Sequence, residues 1–426
     1  MCLFKDFYNS NINRLLKVFL LLALLSSSGT EKAFAQEKTD DDKYKNQKDI
    51  KDVIKDLFGT KKTISDTIKV TNNSKKLSLS ILPGISYNPA TDFVVGVSTG
   101  ISWYMGNSSN TSNSSIFTAV SYTTKKQFKL SAQSGIYTEN NEWNFQGDIR
   151  FWKYSQDTYG LGTGTPPEDK QFMNFKLVRI NENVLKKLFK NFYAGLGYSL
   201  EYYFSVNTLD DDDKPVYPNY NSSYSIKHGF DSSKYLSSGL VLNTNFDSRD
   251  NTINPYKGIM ADLKYYLYNK VLGSDKNRQT LNYEFRAYKS FSKESKYVLA
   301  FWTMGNFTLN GETPYLSLFS NGWDKFNTTG RAYIQGRFRG NDLLYAEIEN
   351  RFSLTKNGLL GLVLFANAVS ISNPDANVKL MDHIEPAAGF GLRIKFDKYS
   401  RTNICVDYGI GTHGSKTVFL NIGEIF

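Results

Sequence analysis

The sequence predicts an all-β protein, a transmembrane antiparallel β-barrel of about 16 strands preceded by a short amphipathic helix. Three observations predict it. Segments of alternating apolar and polar residues recur from Leu77 to Phe426 almost without a break. After the first 35 residues no apolar run reaches the length of about eighteen that a transmembrane helix needs. The 28 Tyr and 30 Phe stand beside 31 Gly and only 10 Pro. Aromatic girdles at two membrane interfaces would raise the aromatic count, while a polar lumen would lower the mean hydropathy, here −0.41.

The chain divides into three stretches. Residues 1–35 read as a signal peptide: Lys5, Arg14 and Lys17 form a basic start, Val18 to Leu25 an apolar core, and Ala33-Phe34-Ala35 a small-x-small cleavage site. Cys2 leaves with it, so the mature chain keeps Cys405, for which a small buried hydrophobe is the expected role. Residues 36–76 read as a polar periplasmic segment. Within it Ile50, Val53, Ile54, Leu57 and Phe58 mark one face of a short helix closed by Gly59. That helix could plug a lumen, lie at the membrane boundary, grip a partner or stand in solvent.

Residues 77–426 read as the barrel, with strands at 77–87, 92–105, 115–124, 127–138, 142–153, 171–182, 190–203, 235–247, 257–269, 279–291, 297–309, 342–353, 358–369, 384–396, 401–411 and 415–426. In the clearest of them Ile259, Ala261, Leu263, Tyr265 and Leu267 oppose Met260, Asp262, Lys264 and Tyr266. Charges fall on one face only. A soluble sandwich would hide the apolar face, whereas a closed barrel turns it to lipid and leaves no edge. Loop lengths alternate as barrels require, with long outer connections at 154–170, 204–234, 270–278, 310–341 and 370–383 and short inner ones elsewhere. Residues 106–114 are long for an inner turn and predict a misplaced strand boundary there.

The formal net charge of +10 raises nucleic acid as a partner, but no helix-turn-helix, zinc ligand set or ribonucleoprotein signature accompanies it. No metal, cofactor or catalytic residue is assigned. His228, His383 and His413 all fall in outer loops with no nucleophile to pair by spacing. Asp210 to Asp213 lacks the spacing of a calcium loop, and Gly160, Gly162 and Gly164 precede no Lys-Ser/Thr that would make a phosphate cradle.

The most informative stretch is Asn327 to Phe352. Arg331, Arg337 and Arg339 are interleaved with Gly330, Gly336 and Gly340, and a strand follows whose Tyr345, Glu347, Glu349 and Arg351 share one face. Two readings stand: a solvated basic loop, or a loop folded into an enclosed lumen where guanidinium groups meet Glu347 or Glu349.

Four segments resemble the BamA/TamA-type family of outer-membrane barrels of the bacterial surface antigen kind. Leu82 to Pro89 resembles its first hairpin. Asp247-Ser248-Arg249-Asp250-Asn251 with Pro255 and Gly258 resembles an inner turn, and Gly330-Arg331-Ala332-Tyr333 resembles the tip of the sixth extracellular loop, here 310–341. Phe419, Ile422 and Phe426 resemble the carboxy-terminal insertion signal. The tip glycine is replaced by Ala332, and the family's anchoring aspartate reads Asn367. The resemblance implies a loop anchor made by Arg331, Tyr333, Arg337, Arg339, Glu347, Glu349 and Asn367, which Asn367→Asp should tighten. It implies a non-enzymatic member without POTRA domains, set in outer-membrane lipid of a Gram-negative cell. Such a member would aid insertion, assembly or translocation of outer-membrane proteins, with those proteins or a periplasmic protein as partners. The alternative is a passive pore or structural surface barrel with the loop as plug.

Overall fold

Alternation is what a strand needs when its two faces meet different media, and this chain repeats it sixteen times over. The computed structural model describes residues 46–58, 77–88, 92–107, 110–210, 214–292 and 296–426. The expected signal peptide, most of the polar segment, Gly59 and residues 211–213 lie outside the described residues.

Helix α1 (Ile50–Phe58) comes first. The strands follow as β1 (Ser78–Asn88), β2 (Asp92–Trp103), β3 (Ser114–Thr123), β4 (Phe128–Tyr137), β5 (Trp143–Thr158), β6 (Gln171–Phe189) and β7 (Phe192–Leu209). After helix α2 (Tyr220–Lys227) come β8 (Lys234–Asp247), β9 (Gly258–Tyr268), β10 (Arg278–Ser290) and β11 (Tyr297–Gly311). The short β12 (Phe319–Ser320) and β13 (Arg339–Gly340) lie in the connection to β14 (Leu343–Ser353), followed by β15 (Leu360–Ile371), β16 (Glu385–Asp397), β17 (Thr402–Gly411) and β18 (Lys416–Ile422). All but β12 and β13 form one sheet of 16 antiparallel strands in sequence order. The first and last strands, β1 and β18, meet within 8 Å between Cα atoms, but no hydrogen-bonded ladder joins them among the described residues.

The expected alternation holds. On β9, Ile259 and Leu263 are exposed on the outer wall, while Asp262 and Lys264 pair with each other inside. On β14, Tyr345, Glu347, Glu349 and Arg351 are turned into the lumen, and Ala346 and Ile348 out. Cys405 is buried, as a small hydrophobe would be.

Three expectations change. Strands β5, β6 and β7 are longer than the alternation alone marked, β6 reaching 19 residues. At roughly 3.3 Å per residue that is about 60 Å, well beyond a bilayer core of about 30 Å. Tyr154 and Val206 pack the extensions of β5 and β7 against the loop above, whereas β6 is extended at its short-turn end, where residues 183–189 stay paired with β5 and β7. Among the described residues of 106–114 there is no misplaced strand. Asn110 and Ser112 instead bond to Asn140 and Asn141 of the next turn, at 2.7 and 2.6 Å. The last strand stops at Ile422, not Phe426, for reasons set out below.

Helix α1 docks on the short-turn end of the barrel. Asp49 and Asp52 cap its start reciprocally, each side chain accepting from the other's backbone N–H, at 3.0 and 3.1 Å. Asp49, buried, also accepts from the Lys398 backbone, and the Lys48 backbone donates to Asn357. Lys51 pairs with Asp397 and Lys398 with Asp52. Burial alone would raise the Asp52 carboxyl, but hydrogen bonds from Lys398 and the Asp49 backbone outweigh it and hold it below its ordinary range. The same bond holds the Lys398 ammonium above its own. The Asp52 contribution is therefore present above the ordinary carboxylate range and lost as pH falls through it, and the Lys398 contribution is lost only in strong alkali.

Two outcomes are expected. Below about pH 4, hydrogen exchange across residues 46–58 should accelerate before exchange in the sheet does; simultaneous loss would show that α1 is not separately docked. Leu263→Arg, on the lipid-facing wall, should cut assembly by the equivalent of about 2–4 kcal/mol, while Lys264→Ala should leave heat-modifiable gel mobility intact. Equal yields of the two would refute the facing assigned to β9.

Candidate functional site

The connection from β11 to β14 is long enough to reach back into the lumen, and it does. Its descent ends at Arg331, which is 1% exposed and meets three carboxylates. Arg331 pairs with Glu347 and Glu349 from β14 and, at 3.0 Å, with Asp407 from β17. Its guanidinium also lies 3.8 Å over the Phe365 ring. Alternation on β14 points Glu347 and Glu349 inward from two consecutive lumen positions, so a single fork spans both.

The acids are shared with two further arginines. Arg351 Nε donates to Glu349 at 2.6 Å, and Arg393 on β16 bonds Asp407 at 2.5 Å and Glu424 at 2.8 Å. Three guanidinium groups thus face Glu347, Glu349, Asp407 and Glu424, an excess of one acid. The excess is borne by Glu347, whose second oxygen accepts from the Tyr345 hydroxyl and, at 3.3 Å, from the Asn367 amide.

Asn367 therefore acts as a donor. Its Nδ2 also donates to the Arg331 carbonyl at 3.1 Å. The expectation that an aspartate here would tighten the anchor is reversed: it would remove both donations and set a further carboxylate beside Glu347.

The three arginines part company: the reading in which guanidinium groups of the loop meet Glu347 or Glu349 describes Arg331 and not Arg337 or Arg339. Arg337 donates to the Thr165 hydroxyl at 2.8 Å and stacks on Tyr159. Arg339, fully buried, donates to the carbonyls of Tyr315, Leu316 and Leu318 and so knots the loop upon itself. Gly162 donates its N–H to the Arg339 carbonyl at 2.7 Å, which gives the glycine-rich segment a packing role against the loop.

Tyr333 locks the tip. Its hydroxyl donates to the Pro386 carbonyl at 2.7 Å and accepts from the Thr412 N–H at 3.0 Å. The tip can lie this close because β17 presents glycine to it: a Cβ on Gly409 would meet Ala332 at 2.9 Å, and one on Gly411 would meet the Tyr333 ring at 2.6 Å. Ala332 holds φ +108°, a conformation costing a non-glycine residue roughly 1–3 kcal/mol. The tip keeps the backbone of a glycine without having one.

Phe419, Ile422 and Phe426 do not share a face. Phe419 is half-buried opposite Asp407, Ile422 is exposed on the outer wall, and Phe426 lies off the strand in the lumen. Gly423, at φ +98°, turns the chain inward. Glu424 then meets Arg393, and the Phe426 ring packs 5.2 Å from Trp302 while its carbonyl accepts from Arg351 at 2.7 Å. Thr328 of the loop also donates to the Ile425 carbonyl. Loop and tail close on each other.

Asp407 was missed by sequence reasoning, as were Arg393 and Glu424. A signal existed: Asp407, Gly409 and Gly411 occupy alternate inward positions of one predicted strand, an acid followed by two residues that leave space. The histidines lie at the long-loop end. His228 bridges Glu312 at 2.6 Å and Asp375 at 2.8 Å, His413 faces Glu385 at 3.3 Å, and the His383 carbonyl accepts from Thr163. Asp210 accepts from the Lys214 backbone. In the inner turn, Asp250 accepts from the Tyr256 and Lys257 N–H groups and pairs with Arg401 at 2.8 Å.

The Omp85 superfamily domain matches residues 57–416. Among solved structures the fold is similar to BamA from Haemophilus ducreyi lacking POTRA domains 1-3, with a TM-score of 0.52 and 15% identity over 82% of this chain and 70% of that one. It is similar also to CdiB from Acinetobacter baumannii, with a TM-score of 0.51 and 11% identity over 82% and 65% of the two chains. CdiB from Escherichia coli gives a TM-score of 0.50 and 9% identity over 83% and 68%. No curated protein sequence matches significantly. At these identities the likeness to solved structures is one of fold.

Removing one partner of a buried ion network strands the others, at about 3–5 kcal/mol. Arg331→Ala should therefore raise protease cleavage between Asn310 and Asn341 in the folded protein. Asn367→Asp should act in the same direction, and protection of the loop in that variant would refute the donor role of Asn367.

Proposed function

The chain belongs to the Omp85 superfamily, and we propose that it is an outer-membrane barrel that helps insert, assemble or translocate other proteins of that membrane. The superfamily match across the barrel supports this reading. The observation that carries it in the structure is the seam. β1 has eleven residues, all paired with β2, whereas β18 has seven and then turns away into the lumen. Part of the β1 edge is thus free of any seam partner that β18 can supply.

An unpaired edge in a bilayer is costly, because its N–H and C=O groups have no water to turn to. It is also a template: an extended segment of another chain satisfies those groups by adding a strand. In this proposal the short-turn end faces the periplasm, residues 1–35 direct export, and α1 sits where an arriving chain or a periplasmic partner meets the rim. The carboxy-terminal residues act through the lumen instead of through one lipid-facing row. Phe426 and Glu424 hold the tail inward, and their release would lengthen the free edge.

The passive-pore reading makes the opposite use of the same loop, as a plug. Purified protein in liposomes separates the two. Accelerated folding of an added unfolded outer-membrane barrel, above that in empty liposomes, is the expected result. Ion conductance with no acceleration would establish the pore and end the insertion reading.

A further inference from the structure

Across the lumen from Arg331 lies a second charged region, a chamber of about 250 Å³ bounded by β5 to β11 and the descending loop. Its wall carries six cations and five carboxylates. Four cations are already neutralised. Arg150 forks onto Asp148 at 2.9 and 2.8 Å, and Arg179 bonds Glu201 at 2.9 Å. Lys264 pairs with Asp262, and Arg286 with Glu284 at 2.5 Å. The fifth acid, Asp324, is engaged by the loop's own backbone, accepting from Thr328 and Thr329 at 2.9 and 2.8 Å.

Two cations remain. Arg278 is 5% exposed and lines the chamber, and its Nε and Nη1 have no hydrogen-bond partner among the described residues. It is held in place by the Tyr268 ring, 4.1 Å below the guanidinium. Glu201 lies within its field, but the Oε1 of that acid already receives both contacts from Arg179. Lys325 opens onto the same chamber. Its carbonyl is fixed by Arg150 at 2.7 Å, and its ammonium stands in the field of Asp148, Asp262 and Glu284, each of which already has a partner of its own.

We propose that this chamber binds a small multivalent oxyanion of the phosphate class, with Arg278 and Lys325 as its charged ligands. Size and charge both select for it. A volume below the ~300–1,000 Å³ of pockets for drug-sized ligands suits a small ion better than a bulky ligand. Two separated positive groups lining one partly enclosed space favour one anion carrying more than one charge over scattered chloride. Guanidinium and ammonium donors are those that phosphate oxygens accept from most strongly. The inference concerns the opposite wall from the Arg331 network and stands apart from the insertion reading.

The test is calorimetric titration of the full-length protein in detergent with inorganic phosphate, against chloride at matched ionic strength. Emission of Trp323, which lines the chamber, gives a second readout. Saturable phosphate binding is expected, at least tenfold weaker in Arg278→Gln and in Lys325→Gln and lost in the double variant. Lys325 belongs to no ladder, so Lys325→Gln remains informative if Arg278→Gln fails to fold. Binding that is absent from the parent, equal for chloride, or unchanged in Lys325→Gln would overturn the proposal.

Discussion

One guanidinium group, that of Arg331, sets the terms for half of the lumen. A charge this deeply buried must be neutralised and hydrogen-bonded, or the folded state loses several kcal/mol. Everything on the facing wall answers that demand. β14 supplies two acids and β17 a third, and Arg351 and Arg393 bring second cations to Glu349 and Asp407. The acids outnumber the cations by one, and Tyr345 and Asn367 donate to the one left over.

The same network reaches the end of the chain by two routes. From Arg331 one runs through Glu349 and Arg351 to the Phe426 carbonyl, the other through Asp407 and Arg393 to Glu424. Loop and tail are therefore held by the same carboxylates, and neither can leave without stranding charges that hold the other. A sheet that must present a free edge for function faces a conflict, since stability asks for every edge to be closed. Here β18 is kept short by the inward turn at Gly423, and what the seam forgoes in ladder hydrogen bonds is offset by ion pairs and aromatic packing inside. The opposite wall is balanced differently: its charges are matched mostly within single strands, two residues apart, so it stays open where the Arg331 side is filled.

Much of this was legible in the residues. A period of two with charges on one side identifies a barrel strand wherever both faces contrast, which is why β9, β10 and β14 were placed within a residue or two. The periodic island at residues 50–58 marked α1 at its true length. Legibility failed where tertiary packing replaced the two-media contrast. At the outer ends of β5 and β7 the inward face meets the packed loop and not an open lumen, so their pattern blurs, and the tail after Ile422 continues an apolar pattern while the backbone turns at a single glycine.

The sequence by itself determined the fold class, the inward or outward facing of most strands, and that a basic loop precedes a strand with two lumen-facing acids. Those properties are local, because they depend on neighbours two or three residues apart. Only the tertiary structure decided which arginine meets which acid. Arg331 and Asp407 are 76 residues apart, and their contact depends on barrel curvature, on strand register and on Gly409 and Gly411 leaving room for the tip. It decided also that Asn367 donates, since an amide offers both a donor and an acceptor and only its surroundings choose between them.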